Sequence, residues 1–485
     1  MGRILLAIYA VLCIFTVSAH ALAVQTGIAA KQVIQCEPDG NAALTLSGTT
    51  AAAGTVQARV VGVQKEILPW AGLGKAEGGA WQGSLAGVPA GGPYRIELKV
   101  IDAAGNALEA AAVDDVLVGD VWVLAGQSNM QGVGNRFDVE EPHALVHTYA
   151  MSYEWRLAQE PLHTLGESPD PVHGTHENEA ARQAAIAGWR DGAKGAGLGL
   201  AFAKEMVKRT GRPVGLIASA HGGTSMAQWD PALKDKGGES LYGSMYKQVQ
   251  AAGGKVRGVL WYQGESDANA TAQAVYREKM KQLVAAMRTD FGVSDLPFYY
   301  VQISRFTPNP GENFSHWNAI QEDERLLEAD LAPGGLVSGI DLGLDDGIHV
   351  GTPGLKTLGY RLAALAEHDF YGGASERGPR YESAELASTP YGQQLRVKFR
   401  SANGTLASAG RLNGFSISAG PDGADAQCIY NQEIAADDPS VIVLWIDKLP
   451  ENAHLWYGRG LNPYCNLVDE ANMAAPMMGP VAIAK

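Results

Sequence analysis

The sequence has no run of lysine or arginine, although the chain is 485 residues long. Its 38 basic residues are outnumbered by 52 acidic ones, and the formal net charge is −14. A nucleic-acid backbone and an anionic membrane surface are thereby excluded as expected partners. Charged residues make up only 19% of the chain, so long solvated helices do not dominate it. Cysteine is scarce, at Cys13, Cys36, Cys428 and Cys465, and no Cys-x-x-Cys pair suggests zinc or dithiol chemistry. Internal repeats are absent. So is the Gly-x-Ser-x-Gly turn of the familiar strand–turn–helix esterase signature.

One apolar run does stand out. Arg3 precedes Ile4 to Val17, and Ser18-Ala19-His20-Ala21-Leu22-Ala23 follows. A basic start, a short apolar stretch and small residues before a cleavage point describe a signal peptide over residues 1–23. The run is short for a membrane span, and no stable membrane insertion is expected after cleavage. The mature chain is expected to be secreted or periplasmic, in an oxidising compartment. Removal of Cys13 leaves three cysteines, so at most one internal bridge forms. Cys428–Cys465 is the favoured pair, and two buried reduced thiols are the alternative.

The texture changes twice along the chain. Residues 24–118 alternate apolar and polar side chains, as in Tyr94-Arg95-Ile96-Glu97-Leu98-Lys99-Val100, between Gly-rich turns. This predicts a β-rich, sandwich-like domain. Over residues 119–375, continuous apolar runs (Val121 to Ala125, Val214 to Ser219, Val256 to Tyr262, Phe298 to Ile303) alternate with helical patterns. The helical stretches are Gly199 to Thr210, Thr271 to Phe291, Asn318 to Leu331 and Pro353 to Glu367. Buried strands alternating with helices predict an α/β domain with a parallel central sheet covered on both faces. β texture returns over residues 376–485. The stretch from Glu140 to Gly197 is poorly patterned and reads as a long loop-like excursion near the site.

In an open parallel sheet, ligands gather at the carboxyl ends of the strands. Four apolar runs end in chemically useful residues: Ser128, His221-Gly222-Gly223-Thr224, Gln263-Gly264-Glu265-Ser266, and Asp345-Asp346-Gly347-Ile348-His349. A serine hydroxyl needs a base to become a nucleophile, and histidine needs a carboxylate to fix its tautomer. Asp346 and His349, three residues apart, fit that pairing, with Asp345 as the alternative carboxylate. An acyl-transfer oxyanion needs preorganised N–H donors.

These blocks in this order resemble the SGNH (GDSL-like) hydrolase superfamily. Gly126-Gln127-Ser128-Asn129-Met130, Gly222-Gly223-Thr224 with Trp229, and Trp261-Tyr262-Gln263-Gly264-Glu265-Ser266 are similar to the sialate O-acetylesterase group and related carbohydrate acetylesterases. Val33-Ile34-Gln35-Cys36-Glu37-Pro38 and Gly119-Asp120-Val121-Trp122 extend the likeness. The resemblance implies a three-layer α/β/α domain. It implies Ser128 as nucleophile, His349 as base and Asp346 as its orienter. It places the oxyanion hole at the Ser128 N–H, the Gly223 N–H and the Gln263 side-chain amide. The expected substrate is an O-acetylated carbohydrate, first of all O-acetylated sialic acid, with no metal and no organic cofactor. Acetylated xylan or another plant polysaccharide is the alternative. A non-catalytic carbohydrate-binding protein is the rival from another class.

Several residues keep two readings. Gly222 competes with Gly223 for the oxyanion. Gln263 is a donor or a structural hydrogen-bonding residue, and Glu265 supports the site from behind or supplies another carboxylate. His221 stands where sialate esterases commonly have Trp. It, Trp229, Arg305, His316 and Trp317 line a sugar site or are structural. His163, His173 and His176 with Glu177 and Glu179 match no zinc spacing and read as a solvated polar loop.

Overall fold

A computed structural model describes residues 21–307 and 314–484 of the chain. All but the last three residues of the expected signal peptide therefore lie outside the described residues. The chain forms two units, one built on residues 43–88 and 95–114 and the other on residues 29–42, 89–94 and 115–485, with residues 21–28 joining the first. In the first, strand Gly54–Val61 pairs antiparallel with Glu66–Ala76 and with Gly91–Ile101. Val56, Ala58 and Val60 lie opposite Val100, Leu98 and Ile96, and all six are buried. The period-two pattern thus buries one face of each strand.

The second unit holds a larger sheet. Its strands run in the order Trp155–Leu157, Val146–Tyr149, Val214–Ala218, Ala107–Gly126, Gly258–Tyr262, Phe298–Gln302 and Gly334–Ser338. All neighbours in this series are parallel except the first pair. The strand Ala107–Gly126 is 20 residues long, and every residue from Val116 onward is buried. The boundary expected at residues 118/119 therefore falls inside one continuous strand rather than in a linker.

Among the described residues, seven α-helices accompany the strands: α1 (Ser128–Gln131), α2 (Glu179–Arg190), α3 (Gly199–Thr210), α4 (Leu241–Ala252), α5 (Gln273–Asp290), α6 (Ser315–Asp330) and α7 (Thr352–Tyr371). Helix α3 stops at Gly211, whose left-handed conformation (φ 70°) lets its N–H close on Val207 O. Helix α4, not anticipated from the sequence, starts at Ser240, whose hydroxyl accepts the Gly243 N–H.

The excursion from Glu140 to Gly197 corrects the expectation of a loop. It contributes the sheet strand Val146–Tyr149 and helix α2. His163 and His173 are also not solvated: they are 1% and 6% exposed. His176 and Glu177 are exposed in the loop before α2, and Glu179 is exposed in its first turn. Among the described residues, no three or more His, Cys, Asp or Glu side chains group to hold a metal ion.

The C-terminal residues form a four-stranded and a three-stranded sheet around Leu395, Val397, Phe399, Ile417, Leu444 and Leu455. They also tie into the parallel sheet. Buried Gln302 donates to Met477 O (3.0 Å) and accepts the Met477 N–H (2.8 Å). The expected Cys428–Cys465 bridge is not formed: Cys36, Cys428 and Cys465 are all free and buried. Burial in the C-terminal core pushes the Cys465 thiol up to about 12.

Candidate active site

The nucleophile turn follows from a close approach of two strands. Gly126 ends the long strand at φ 131°, and a Cβ there would stand 2.2 Å from Tyr262 O. Only glycine permits that approach and that backbone. The Gln127 N–H then closes on Tyr262 O (2.8 Å), and α1 begins at Ser128. Ser128 thus sits at the carboxyl end of a central strand, partly exposed, with its own N–H free of any acceptor among the described residues.

His349 comes to this turn from the loop after strand Gly334–Ser338. Its Nε2 lies 3.0 Å from Ser128 Oγ. Its Nδ1 lies 2.8 Å from Asp346 Oδ2 and 3.0 Å from Oδ1. Partial desolvation works to raise the Asp346 pKa. The Ile348 N–H (3.0 Å), the His349 ring and the His349 N–H (2.9 Å) outweigh it and hold the carboxyl well below its ordinary range. A carboxylate on Nδ1 leaves the Nε2 lone pair aimed at the hydroxyl, the arrangement a general base needs. Asp345 does not compete: its Oδ2 accepts the Asn135 N–H (2.6 Å).

The loop is held to the nucleophile turn by Asn129, a residue to which the sequence assigned no role. Buried Asn129 donates to Glu265 Oε1 (2.7 Å) and accepts the Val350 N–H (3.0 Å). Glu265 is buried behind the turn, where desolvation raises its pKa even with Asn129 opposing. It thus supports the turn and is not presented to a substrate.

Gly222 and Gly223 differ in their hydrogen bonding. The Gly222 N–H is occupied by Gln131 Oε1 (2.8 Å). A Cβ on Gly222 would stand 3.2 Å from Ser128 Cβ, so this glycine permits the turn to lie against the nucleophile. Gly223, at φ 71°, is exposed and its N–H meets no acceptor among the described residues.

Gln263 departs from its expected place in the oxyanion hole. It is fully buried, and its amide nitrogen donates to Thr224 O (3.1 Å) and Asp267 Oδ2 (2.5 Å). An amide has two hydrogens, so none is left for an oxyanion. Asp267 Oδ2 also accepts the Met226 N–H (2.9 Å). Gln263 and Asp267 therefore pin the Gly222–Met226 turn from below. Asp267, four residues after Gln263, carried no signal of its own.

Trp229, Trp317 and Arg305, each open to a sugar-lining or a structural reading, make contacts within the fold. Trp229 is fully buried, donates to Thr224 Oγ1 (3.0 Å) and packs edge-on against Trp261. Trp317 is buried, donates to Ser304 O (2.9 Å) and stacks on Phe306. Arg305 reaches Leu342 O (3.0 Å) and Asn462 Oδ1 (3.2 Å). His316 is half-buried at the start of α6. His221 is partly exposed beside the site, and its Nδ1 lies 3.1 Å from Nδ1 of His173.

Known proteins are similar to this chain. A carbohydrate acetylesterase from Xanthomonas citri has the same fold, with a TM-score of 0.66 at 24% identity over 94% of this chain and 99% of that one. An Arabidopsis thaliana protein described as a probable carbohydrate esterase is 27% identical over 206 residues, 38% of this chain and 68% of its own length. Human sialate O-acetylesterase is 28% identical over 268 residues, 49% of this chain and 47% of its own length. Residues 118–367, just over half of the chain, match the family described as carbohydrate esterase, sialic acid-specific acetylesterase. The chain belongs to that family and is a carboxylic ester hydrolase.

Proposed function

We propose that the protein removes O-acetyl groups from a carbohydrate through an acetyl-Ser128 intermediate. The observation that carries this is the continuous line Asp346–His349–Ser128, with 2.8 and 3.0 Å links. His349 Nε2 takes the Ser128 proton as Oγ bonds to the acetyl carbonyl carbon. The carbonyl oxygen becomes an oxyanion facing the Ser128 and Gly223 N–H groups. Asp346 steadies the imidazolium. The intermediate collapses, the C–O bond to the sugar breaks, and His349 returns its proton to the sugar oxygen. Water then repeats the sequence: His349 takes its proton, hydroxide oxygen bonds to the acetyl carbon, and Ser128 leaves reprotonated with acetate released. We further read helices α3 and α7 as one layer and α4, α5 and α6 as the other, on opposite faces of the sheet.

O-acetylated sialic acid is the first substrate, supported by the family match. An acetylated plant polysaccharide is the second, supported by the segments Gly197-Leu198-Gly199-Leu200 and Ser225-Met226-Ala227-Gln228-Trp229. We place the reaction outside the cytoplasm because of the leader-like residues 1–23, and N-terminal sequencing of the exported protein checks cleavage after Ala21 or Ala23.

Acetate release from p-nitrophenyl acetate by wild type and Ser128→Ala tests the mechanism. Loss of about 10³-fold or more is expected, and full retention in the variant rejects Ser128. A carbohydrate-binding protein would release no acetate in either form. Faster release from acetylated xylan than from O-acetylated sialic acid would overturn the first substrate and leave the mechanism standing.

A further inference from the structure

A line of buried polar side chains ends at the rim of the same site. It begins at Asp170, which is 2% exposed. Its Oδ2 accepts hydrogen bonds from Tyr153 Oη (2.6 Å) and Ser244 Oγ (2.6 Å), and Lys247 Nζ pairs with its Oδ1. Burial opposes ionisation here, but Lys247, Ser244 and Tyr153 together hold the carboxyl below its ordinary range. An ionised carboxylate only accepts, so the single Ser244 hydrogen points at Asp170.

The direction of every later bond follows. The Ser244 oxygen accepts from His173 Nε2 (3.1 Å), which must carry its proton. Burial keeps the His173 ring neutral, with its pKa pushed down to about 3. A neutral imidazole has one N–H, so His173 Nδ1 is a lone pair. His221 Nδ1, 3.1 Å away with the two ring planes 22° apart, must donate to it. Desolvation lowers the His221 pKa as well, so that ring is neutral and its Nε2 holds a lone pair. Among the described residues nothing meets this nitrogen, and His221 is partly exposed.

The backbone fixes where His221 stands. Its N–H donates to Gly126 O (3.0 Å), two residues before the nucleophile. The next residue, Gly222, lies directly against Ser128.

We propose that His221 is a specificity-determining residue whose Nε2 accepts a hydrogen bond from a hydroxyl or amide N–H on the sugar beside the acetyl ester. This rests on the carbohydrate acetylesterase reading and deepens it. A substrate lacking the donor would leave Nε2 unpaired on closure of the complex, a mismatch that polar pockets convert into large discrimination. Asp170, far along the chain of bonds, thereby sets the polarity of the group that substrate meets.

Two measurements test this on the full-length protein. Nitrogen-15 NMR of histidine-labelled wild type reads the tautomer, with His221→Gln identifying the signals. The expected result is a protonated Nδ1 and a lone-pair Nε2 at His221, and an Nε2–H tautomer overturns the proposal. Ser244→Ala, which cuts the line, is expected to give a mixture of tautomers, and an unchanged single tautomer would deny that Asp170 sets it. The second measurement compares kcat/KM for a monoacetylated sugar and its deoxy analogues at each neighbouring position. Wild type is expected to favour the free hydroxyl at one position by about 10- to 100-fold, and His221→Phe to reduce this to near parity. No preference in wild type, or the same preference in His221→Phe, overturns the proposal. Absence of Ser128-dependent acetate release from every sugar would instead defeat the carbohydrate reading, while the tautomer result would still judge the hydrogen-bond line by itself.

Discussion

At the scale of single residues, the carboxylate–imidazole–hydroxyl line depends on Asp346 staying ionised. Because its pKa is depressed in the folded chain, ionisation persists as pH falls and is lost only in strong acid. Loss of kcat on mild acidification is therefore not expected to come from Asp346, which stays charged. Asp346→Asn is expected to lower kcat by about 10³- to 10⁴-fold with little change in Tm, checked by steady-state kinetics and calorimetry on one preparation. Asp346, His349 and Ser128 were legible in the sequence because each ends a strand or shares one short loop. Gln263 was not, because its role is set by Thr224, 39 residues before it in sequence and adjacent in space. Its type suits an oxyanion donor, but its hydrogens are already committed to Thr224 and Asp267.

At the scale of elements, Asn129 joins the first turn of α1 to the base loop. Asn129→Ala would leave the buried Val350 N–H without its acceptor and Glu265 without its donor. A loss of about 1–3 kcal/mol is expected, seen as a lower denaturation midpoint, together with a reduced kcat as His349 loses its fixed distance from Ser128. An unchanged midpoint would mean that water replaces the side chain. Helix α3 was readable to the residue, since an apolar stripe ran into Gly211-Arg212-Pro213. Strand Val146–Tyr149 was not, because His147 and Thr148 interrupt its apolar pattern. Both are buried with partners from distant segments: His147 Nδ1 meets Lys31 O (2.6 Å), and Thr148 Oγ1 donates to Leu216 O (3.1 Å). A sequence pattern registers the polar side chain and not the distant carbonyl that satisfies it.

At the scale of the whole molecule, buried titratable groups pull stability in opposite directions. His173 has a folded pKa of about 3, below the ordinary value near 6.5. The unfolded chain binds that proton first, so the contribution is complete above about pH 6.5 and lost progressively as pH falls toward 3. Glu160, buried and raised to about 7, acts oppositely: stability falls as pH rises from about 4.5 toward 7. His173→Gln is therefore expected to flatten the acid side of a Tm–pH profile, and an identical slope in the variant would count against a neutral buried His173. A fragment of residues 118–367, the part matched by the family, is expected to lack a cooperative thermal transition. It begins inside the strand Ala107–Gly126 and omits the pairing of Val33–Gln35 with Leu117–Gly119. It also omits the partners of three buried side chains. Gln302 bonds to Met477, Asn318 to Gly460 (3.0 Å) and Arg361 to Asn472 O (2.6 Å). Those partners all follow His349 in the sequence. At about 5–20 residues per second, the ribosome reaches them on the order of ten seconds after the catalytic His349. A nascent chain thus carries every catalytic side chain well before it has the partners that tie Gln302, Asn318 and Arg361 in place.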